Sequence, residues 1–305
     1  MEEMKPKVVV IVGPTASGKT AVSIELAKKI NGEIVSADSM QIYKYMDIGT
    51  AKPSMEEQNG IKHYMLDVAS PNEQFNVARY KELATNAIEE ILKKNKTPII
   101  VGGTGLYINT LVNGIEFIDT NHDEEYIREL QERCEKEGVD SLFNELQRID
   151  PDAAQIIDKN NVRRVIRALE IYKVTGKTKT QIDKESIQEV KYDYQMFGIE
   201  WEREELYNRI NQRVDLMLEN GLIDEVKNLI QKYQLSNTAI QGLGYKEVID
   251  YLNGNLSYEA MVEKLKIETR HYAKRQLTWF RRDERIKWVK KEEAVNLIIN
   301  TLECK

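Results

Sequence analysis

The chain has 305 residues, 41% hydrophobic and 31% charged, a soluble globular profile too long for one compact core. Forty-four basic against fifty acidic residues give a net charge of −6, which taken whole argues against a protein built around nucleic acid. Cys134 and Cys304, the only cysteines, lie far apart without a Cys-x-x-Cys spacing, which excludes a disulfide framework and a cysteine zinc site.

The first predicted element is the β-branched strand Val8-Val9-Val10-Ile11-Val12, too short for a signal core. Nothing later approaches a membrane span, so a cytoplasmic protein is expected. After this strand stands Gly13-Pro14-Thr15-Ala16-Ser17-Gly18-Lys19-Thr20, a match to G-x-x-x-x-G-K-[ST]. A helix follows over residues 20–30, with Ala21, Ile24 and Ala27 on one face. Strand before and helix after is the setting a phosphate loop needs, because backbone N–H groups and the helix N-terminus then converge on anionic oxygens. Lys19 adds a point charge, and the Thr20 hydroxyl can ligate Mg²⁺. A polyphosphate is expected here.

Two further strands end in an acid: Glu33-Ile34-Val35, leading to Asp38, and residues 63–68, containing Asp67. Asp38 should emerge at the carboxyl edge of the sheet beside the phosphate loop, as a base, a Mg²⁺ ligand or a helix N-cap. After a helix over residues 77–94, the strand Pro98-Ile99-Ile100-Val101 ends in Gly102-Gly103-Thr104-Gly105, a tight strand-to-helix turn. From about residue 120 the pattern becomes charged and helical, with helices at 123–136, 141–149 and 161–173. A strand at 192–201, helices at 203–232, 244–253 and 257–281, and a last strand at 286–289 follow. All six prolines lie in the first 151 residues. The expected fold is α/β, a P-loop NTPase-like parallel sheet core (1–119 and 191–305) flanked by helices, with a helical insertion domain (120–190).

The phosphate loop, Ser36-Ala37-Asp38-Ser39-Met40-Gln41-Ile42-Tyr43, Met46-Asp47-Ile48-Gly49-Thr50-Ala51-Lys52-Pro53 and Val101-Gly102-Gly103-Thr104-Gly105-Leu106-Tyr107 resemble the tRNA dimethylallyltransferase (IPP transferase) family. Arg164-Val165-Ile166-Arg167-Ala168-Leu169-Glu170, Gly242-Leu243-Gly244-Tyr245-Lys246 and Lys274-Arg275-Gln276-Leu277-Thr278-Trp279-Phe280-Arg281 continue the likeness in the same order. The chain shows no zinc-finger tail after Val289, which suggests the bacterial type.

The resemblance implies transfer of a dimethylallyl group from dimethylallyl diphosphate to the N6 of the adenosine 3′ of the anticodon, by a monomer using Mg²⁺. Its phosphate loop would hold the diphosphate, Asp38 would be the general base, Arg213 would neutralise the leaving group, and Thr104 would lie near the reacting adenosine. Arg209, on the same helical face as Arg213, reads as a solvated residue. The tRNA anticodon stem-loop would meet Asp38, Ser39, Met40, Gln41 and Thr104, then Arg163, Arg164 and Arg167, and the Gln241, Gly242, Gly244, Tyr245, Lys246 loop. Lys274, Arg275 and Arg281 complete that set, and Arg128 is a further candidate read against an ordinary surface arginine.

Residues 264–291 support an RNA partner: they hold eleven Lys or Arg and three acids, a local excess of +8 that leaves −14 elsewhere. Tyr272, Trp279, Phe280 and Trp288 interleave with these cations, with Trp279 and Phe280 expected in the core. His63, His122 and His271 lack metal-ligand spacing, and Asp47, Glu56 and Glu57 read as surface charge. The alternative enzyme is a P-loop kinase of a small metabolite or nucleoside, which would not need the basic C-terminal block.

Overall fold

The computed structural model describes residues 5–117 and 123–303; His122, Cys304 and the expected boundary at 119/120 lie outside them. In chain order, β1 (Lys7–Val12), α1 (Lys19–Lys29), β2 (Gly32–Ala37), the single turn α2 (Met55–Gln58), β3 (His63–Tyr64), α3 (Val77–Lys93), β4 (Thr97–Gly102) and α4 (Gly105–Val112) come first. Five helices follow: α5 (Glu124–Glu137), α6 (Val139–Ile149), α7 (Pro151–Ile156), α8 (Val162–Thr175) and α9 (Lys179–Glu185). The chain ends with β5 (Asp193–Glu200), α10 (Arg203–Glu219), α11 (Leu222–Lys232), α12 (Tyr245–Leu252), α13 (Tyr258–Phe280), β6 (Lys287–Lys290) and α14 (Lys291–Glu303).

The fold is α/β with a P-loop-like core. Six strands form one sheet in the order β3-β2-β4-β1-β5-β6, and every neighbouring pair is parallel. Central β1 is apolar from Val8 to Val12, as befits a strand covered on both faces. Val8, Val10 and Val12 enter a core that includes Tyr80 and Ile88 of α3, Tyr107 of α4 and Val214 of α10. Val9 and Ile11 enter the opposite core with Leu26 of α1 and Ile298 of α14. The carboxyl ends of β1, β2 and β4 lie side by side, with Val12 paired to Gly102 and Gly102 to Ala37. This places the phosphate loop, Asp38 and the Gly103-Thr104 turn at one sheet edge.

Two compact units divide the chain, Met1–Val112 with Val190–Lys305, and Asn113–Glu189. The second unit's two ends are fastened by an antiparallel bridge between Ile115 and Ile187. The Glu116 N–H donates to the Ser186 carbonyl at 2.7 Å there, which is why this unit begins upstream of its first helix. Its own core joins Leu130, Leu142, Leu146, Val165 and Leu169.

Three local expectations change. The strand at 63–68 shortens to two residues because Met65 and Asp67 take φ of 65° and 56°, left-handed values that leave the ladder. The helix at 203–232 is broken into α10 and α11 by Gly221 at φ 94°. The helices α2, α7, α9 and α14 have no counterpart among the predicted elements, while α4 is the unbounded helix into which the turn at 102–105 leads.

A Cβ placed on Gly102 would lie 2.1 Å from the Ala37 carbonyl oxygen of the neighbouring strand. Gly102→Ala should therefore lower unfolding stability by about 3 kcal/mol, the upper end of overpacking costs, as read by the urea midpoint. A midpoint equal to that of the parent protein would contradict this account of the β2–β4 contact.

Candidate active site

The phosphate loop leaves β1 at Gly13 and turns into α1 through Gly18, whose φ of 83° is left-handed. Two residues from beyond β5 strap it. The Trp201 indole N–H donates to the Ser17 carbonyl at 2.9 Å, and Arg209 Nε donates to the Ala16 carbonyl at 2.9 Å while its guanidinium lies over the Trp201 ring. Arg209 is thus a loop strap rather than the solvated residue expected from its helical face.

Inside the loop, Lys19 Nζ donates to the Pro14 carbonyl at 2.6 Å. Burial, and then the nearby Arg213 guanidinium, hold its ammonium down to about 7, with Asp38 opposing the shift. Arg213 is likewise lowered by burial first, and its buried Nε has no partner. Two half-buried cations lining one cavity, one of them with an unpaired buried N–H, suit an anion. Thr20 lies in the first turn of α1 and is exposed. Among the described residues no cluster of three His, Cys, Asp or Glu could hold a metal by itself. A hard cation such as Mg²⁺ would need phosphate oxygens beside the Thr20 hydroxyl here.

Asp38 follows β2 directly. Its Oδ1 accepts the N–H groups of Met40 (2.9 Å) and Gln41 (3.2 Å), so the cap-like reading of this residue describes one oxygen only. Thr104 is held beside it: the Thr104 N–H donates to the Ala37 carbonyl at 3.1 Å, and Thr104 Oγ1 accepts the Ser39 N–H at 3.0 Å. The Gln41 amide is spent within the chain, accepting from Ser36 Oγ and donating to the Thr50 and Ala51 carbonyls. Asp67, the other acid considered, pairs with Lys52 at 2.7 Å and lines neither cavity described next.

Two cavities meet at this carboxylate. The first, about 560 Å³, is lined by the loop residues Thr15 to Thr20 with Arg209 and Gln276. The second, about 510 Å³, is lined by Ser39, Met40, Gln241, Gly242, Lys246 and Arg275. Thr15, Asp38, Thr50, Arg213 and Tyr272 border both. Burial, then the Asp38 charge, raises the Tyr272 phenol above its ordinary range, and its hydroxyl lies beside Thr104 and Gln276.

The remaining expected RNA contacts divide. Lys274, Arg275 and Arg281 are exposed on or at the end of α13, with Arg275 over the Tyr272 ring. Phe280 is core, but Trp279 is 38% exposed, its indole pressed against Gly105, where a Cβ would come within 2.3 Å. In the helical unit Arg128, Arg163 and Arg164 are exposed, whereas Arg167 is engaged by Glu170 at 2.7 Å. Gly244 turns into α12 at φ 90°.

Tyr245 does not fit the contact role expected of it, being 0% exposed. Its hydroxyl donates to Glu225 at 2.6 Å, and its ring covers Gly49, where a Cβ would lie 2.6 Å away. The same Glu225 carboxylate accepts the N–H groups of Asp47 (3.0 Å), Ile48 (2.7 Å) and Gly49 (3.1 Å). It thereby shapes the loop that carries Thr50 into both cavities. Asp47 is also more than surface charge, since it pairs with Lys52 at 2.6 Å. Glu225 escaped the sequence reading because an acid in the first turn of an amphipathic helix has an ordinary explanation.

The IPP transferase family model matches residues 41–283. The tRNA dimethylallyltransferase of Acetivibrio thermocellus is 54% identical over 288 residues, covering 94% of this chain and 92% of that protein. That of Halothermothrix orenii is 52% identical, covering 92% and 86%. Among solved structures, a tRNA isopentenylpyrophosphate transferase from Bacillus halodurans superposes with a TM-score of 0.73 at 45% identity, covering 98% and 96%. A eukaryotic dimethylallyltransferase acting on tRNA gives 0.81 at 34% identity, covering 97% and 78%.

Removing the Glu225 carboxylate leaves three loop N–H groups and a phenol without their acceptor. Glu225→Ala should cost about 3 kcal/mol and Tyr245→Phe about 1 kcal/mol, compared by urea unfolding. Equal, small losses in both would show that the carboxylate does not organise this loop.

Proposed function

The chain belongs to the IPP transferase family, and from that premise we propose that it moves the dimethylallyl group of dimethylallyl diphosphate to N6 of the adenosine 3′-adjacent to the anticodon in tRNA, releasing diphosphate. It is an enzyme, a tRNA-modifying prenyltransferase. The observation that carries the site reading is the border position of Asp38 and Arg213 between the loop-lined cavity and the second, cation-rimmed one. A donor in the first cavity and a base entering the second would meet there. A small-metabolite kinase has no use for the second cavity or for the exposed cations of α13.

In this scheme the loop N–H groups, Lys19 and Arg213 bind the diphosphate. The Thr20 hydroxyl would hold Mg²⁺, which would neutralise part of the negative charge on the leaving group. Adenine N6 is a weak nucleophile because its lone pair is delocalised into the ring. As the N6–C bond forms and the C–O bond breaks, the C–O electron pair leaves with diphosphate and one N6 proton passes to the Asp38 carboxylate. Thr104, fixed by Ala37 and Ser39, borders the adenosine. The acceptor base must leave its stack to reach this point, and the RNA around it is held by Gln241, Gly242, Lys246, Lys274, Arg275 and Arg281. Arg128, Arg163 and Arg164 are separate candidates for RNA contact on the helical unit. One chain supplies every group, so a monomer suffices. No helix among the described residues is long and apolar enough to cross a membrane, in keeping with a tRNA substrate in the cytoplasm.

Purified protein, Mg²⁺, dimethylallyl diphosphate and an anticodon stem-loop should give one added dimethylallyl unit per RNA by mass spectrometry. Consumption of ATP on a small acceptor, with the RNA mass unchanged, would overturn the proposal. Asp38→Asn should bind both substrates while transfer falls roughly 10²-fold or more.

Lys19 adds a pH signature. Its folded-state value of about 7 lies below the ordinary 10.5, so between those values the unfolded chain holds a proton that the folded one lacks. This group therefore makes the empty protein more stable as pH rises across that window. A bound anion restores the ammonium, so donor binding near pH 8.5 should take up close to one proton, and far less near pH 6. Calorimetry in buffers of differing ionisation enthalpy measures this uptake, and none near pH 8.5 would remove Lys19 from the diphosphate site.

A further inference from the structure

Gln276 has no part in the scheme above, yet it is 6% exposed and lies on α13 beside the exposed Arg275. Its amide is divided between two loops. Oε1 accepts the Thr15 N–H of the phosphate loop at 2.8 Å, and Nε2 donates to the Gly103 carbonyl at 3.0 Å. These loops leave different strands, β1 and β4. A Cβ on Gly103 would come within 2.1 Å of the amide nitrogen, so the bare backbone there is what admits it. From Gly103 the contacts continue through Thr104, whose Oγ1 accepts the Ser39 N–H, to the residue next to Asp38. One buried side chain thus joins the anion cradle to the turn that holds the base.

The geometry points to Gln276 as a positioning residue for the transfer, one that sets the separation between the bound diphosphate and the Asp38 carboxylate; this rests on the roles given above to those two groups. A displacement of about 1 Å between reacting groups costs roughly 10²-fold in rate even when binding survives. The bridge demands an acceptor toward Thr15 and a donor toward Gly103. An amide supplies both. An ionised Glu would satisfy Thr15 but set an oxygen against the Gly103 carbonyl, whereas a protonated Glu again carries a donor.

That difference gives a test which general loss of packing cannot imitate. Single-turnover transfer would be measured for the full-length parent, Gln276→Met and Gln276→Glu between about pH 5.5 and 8.5, with Kd for inorganic diphosphate and for the stem-loop, and unfolding midpoints. The titratable and charged groups sharing this cavity are Lys19, Asp38, Glu57, His63, Arg209, Arg213 and Tyr272, so each variant rate is taken relative to the parent at the same pH. Gln276→Met should lose roughly 10²-fold in rate with both Kd values within about threefold of the parent. Gln276→Glu should be as impaired at high pH and regain about tenfold, relative to the parent, as pH falls through its carboxyl titration. A Met variant within about threefold of the parent rate, or a Glu-to-parent ratio flat with pH, overturns the inference. Should the Met variant fail to fold, the Glu ratio decides alone. A parent protein that transfers nothing overturns the prenyl-transfer reading itself, and this inference with it.

Discussion

Two half-buried cations at the end of one parallel sheet govern the site. Burial and then the Arg213 charge lower the affinity of Lys19 for a proton, burial and the Arg209 charge lower that of Arg213, and Asp38 opposes both shifts, joined at Arg213 by Glu57. Like charges placed this way destabilise the empty protein, so the surrounding chain must hold them by other contacts. The straps from Trp201 and Arg209, the Glu225 carboxylate under the 47–49 loop and the sheet-edge pairing of Gly102 with Ala37 supply those contacts. On the proposed function, an incoming diphosphate would meet a cradle already formed, and its charge would relieve a repulsion rather than create one.

What could be read in the sequence followed from locality. The phosphate loop, β1 and Asp38 announce themselves because their chemistry is written in consecutive residues. Glu225, Tyr272 and Gln276 do not, since each acts through a partner more than a hundred residues away and looks ordinary among its neighbours. Tyr245 marks the limit of reasoning from a motif: the block around it was recognisable, but its ring and hydroxyl are turned inward to hold a loop. Arg209 failed in the opposite sense, because helical spacing places a residue on a face without saying what else occupies that face. Backbone conformation was equally hidden, since left-handed Met65 and Asp67 ended a strand that their side chains would have continued.

The net charge of −6 is a poor guide to the partner. The excess of positive charge sits on α13 and the segment after it, where Lys274, Arg275 and Arg281 are exposed. Meanwhile the interior face of α13 presents Tyr272 and Gln276 to the chemistry. One helix thus carries both the exposed charge proposed to face RNA and two groups lining the loop cavity, and through Gln276 it is tied to the phosphate loop.

Strand order also bears on how the chain is made. The central strand β1 is made well before its partner β5, which begins at Asp193, and the edge strand β6, which begins only at Lys287. The helical unit between them has a core of its own, drawn from residues close in sequence, and can close while β1 still waits. During synthesis the apolar run from Val8 to Val12 is therefore an unfinished sheet interior, paired on one side by β4 and open on the other. The order of synthesis leaves β1 waiting for β5 after the helical unit has been made, an apolar strand edge exposed in the meantime.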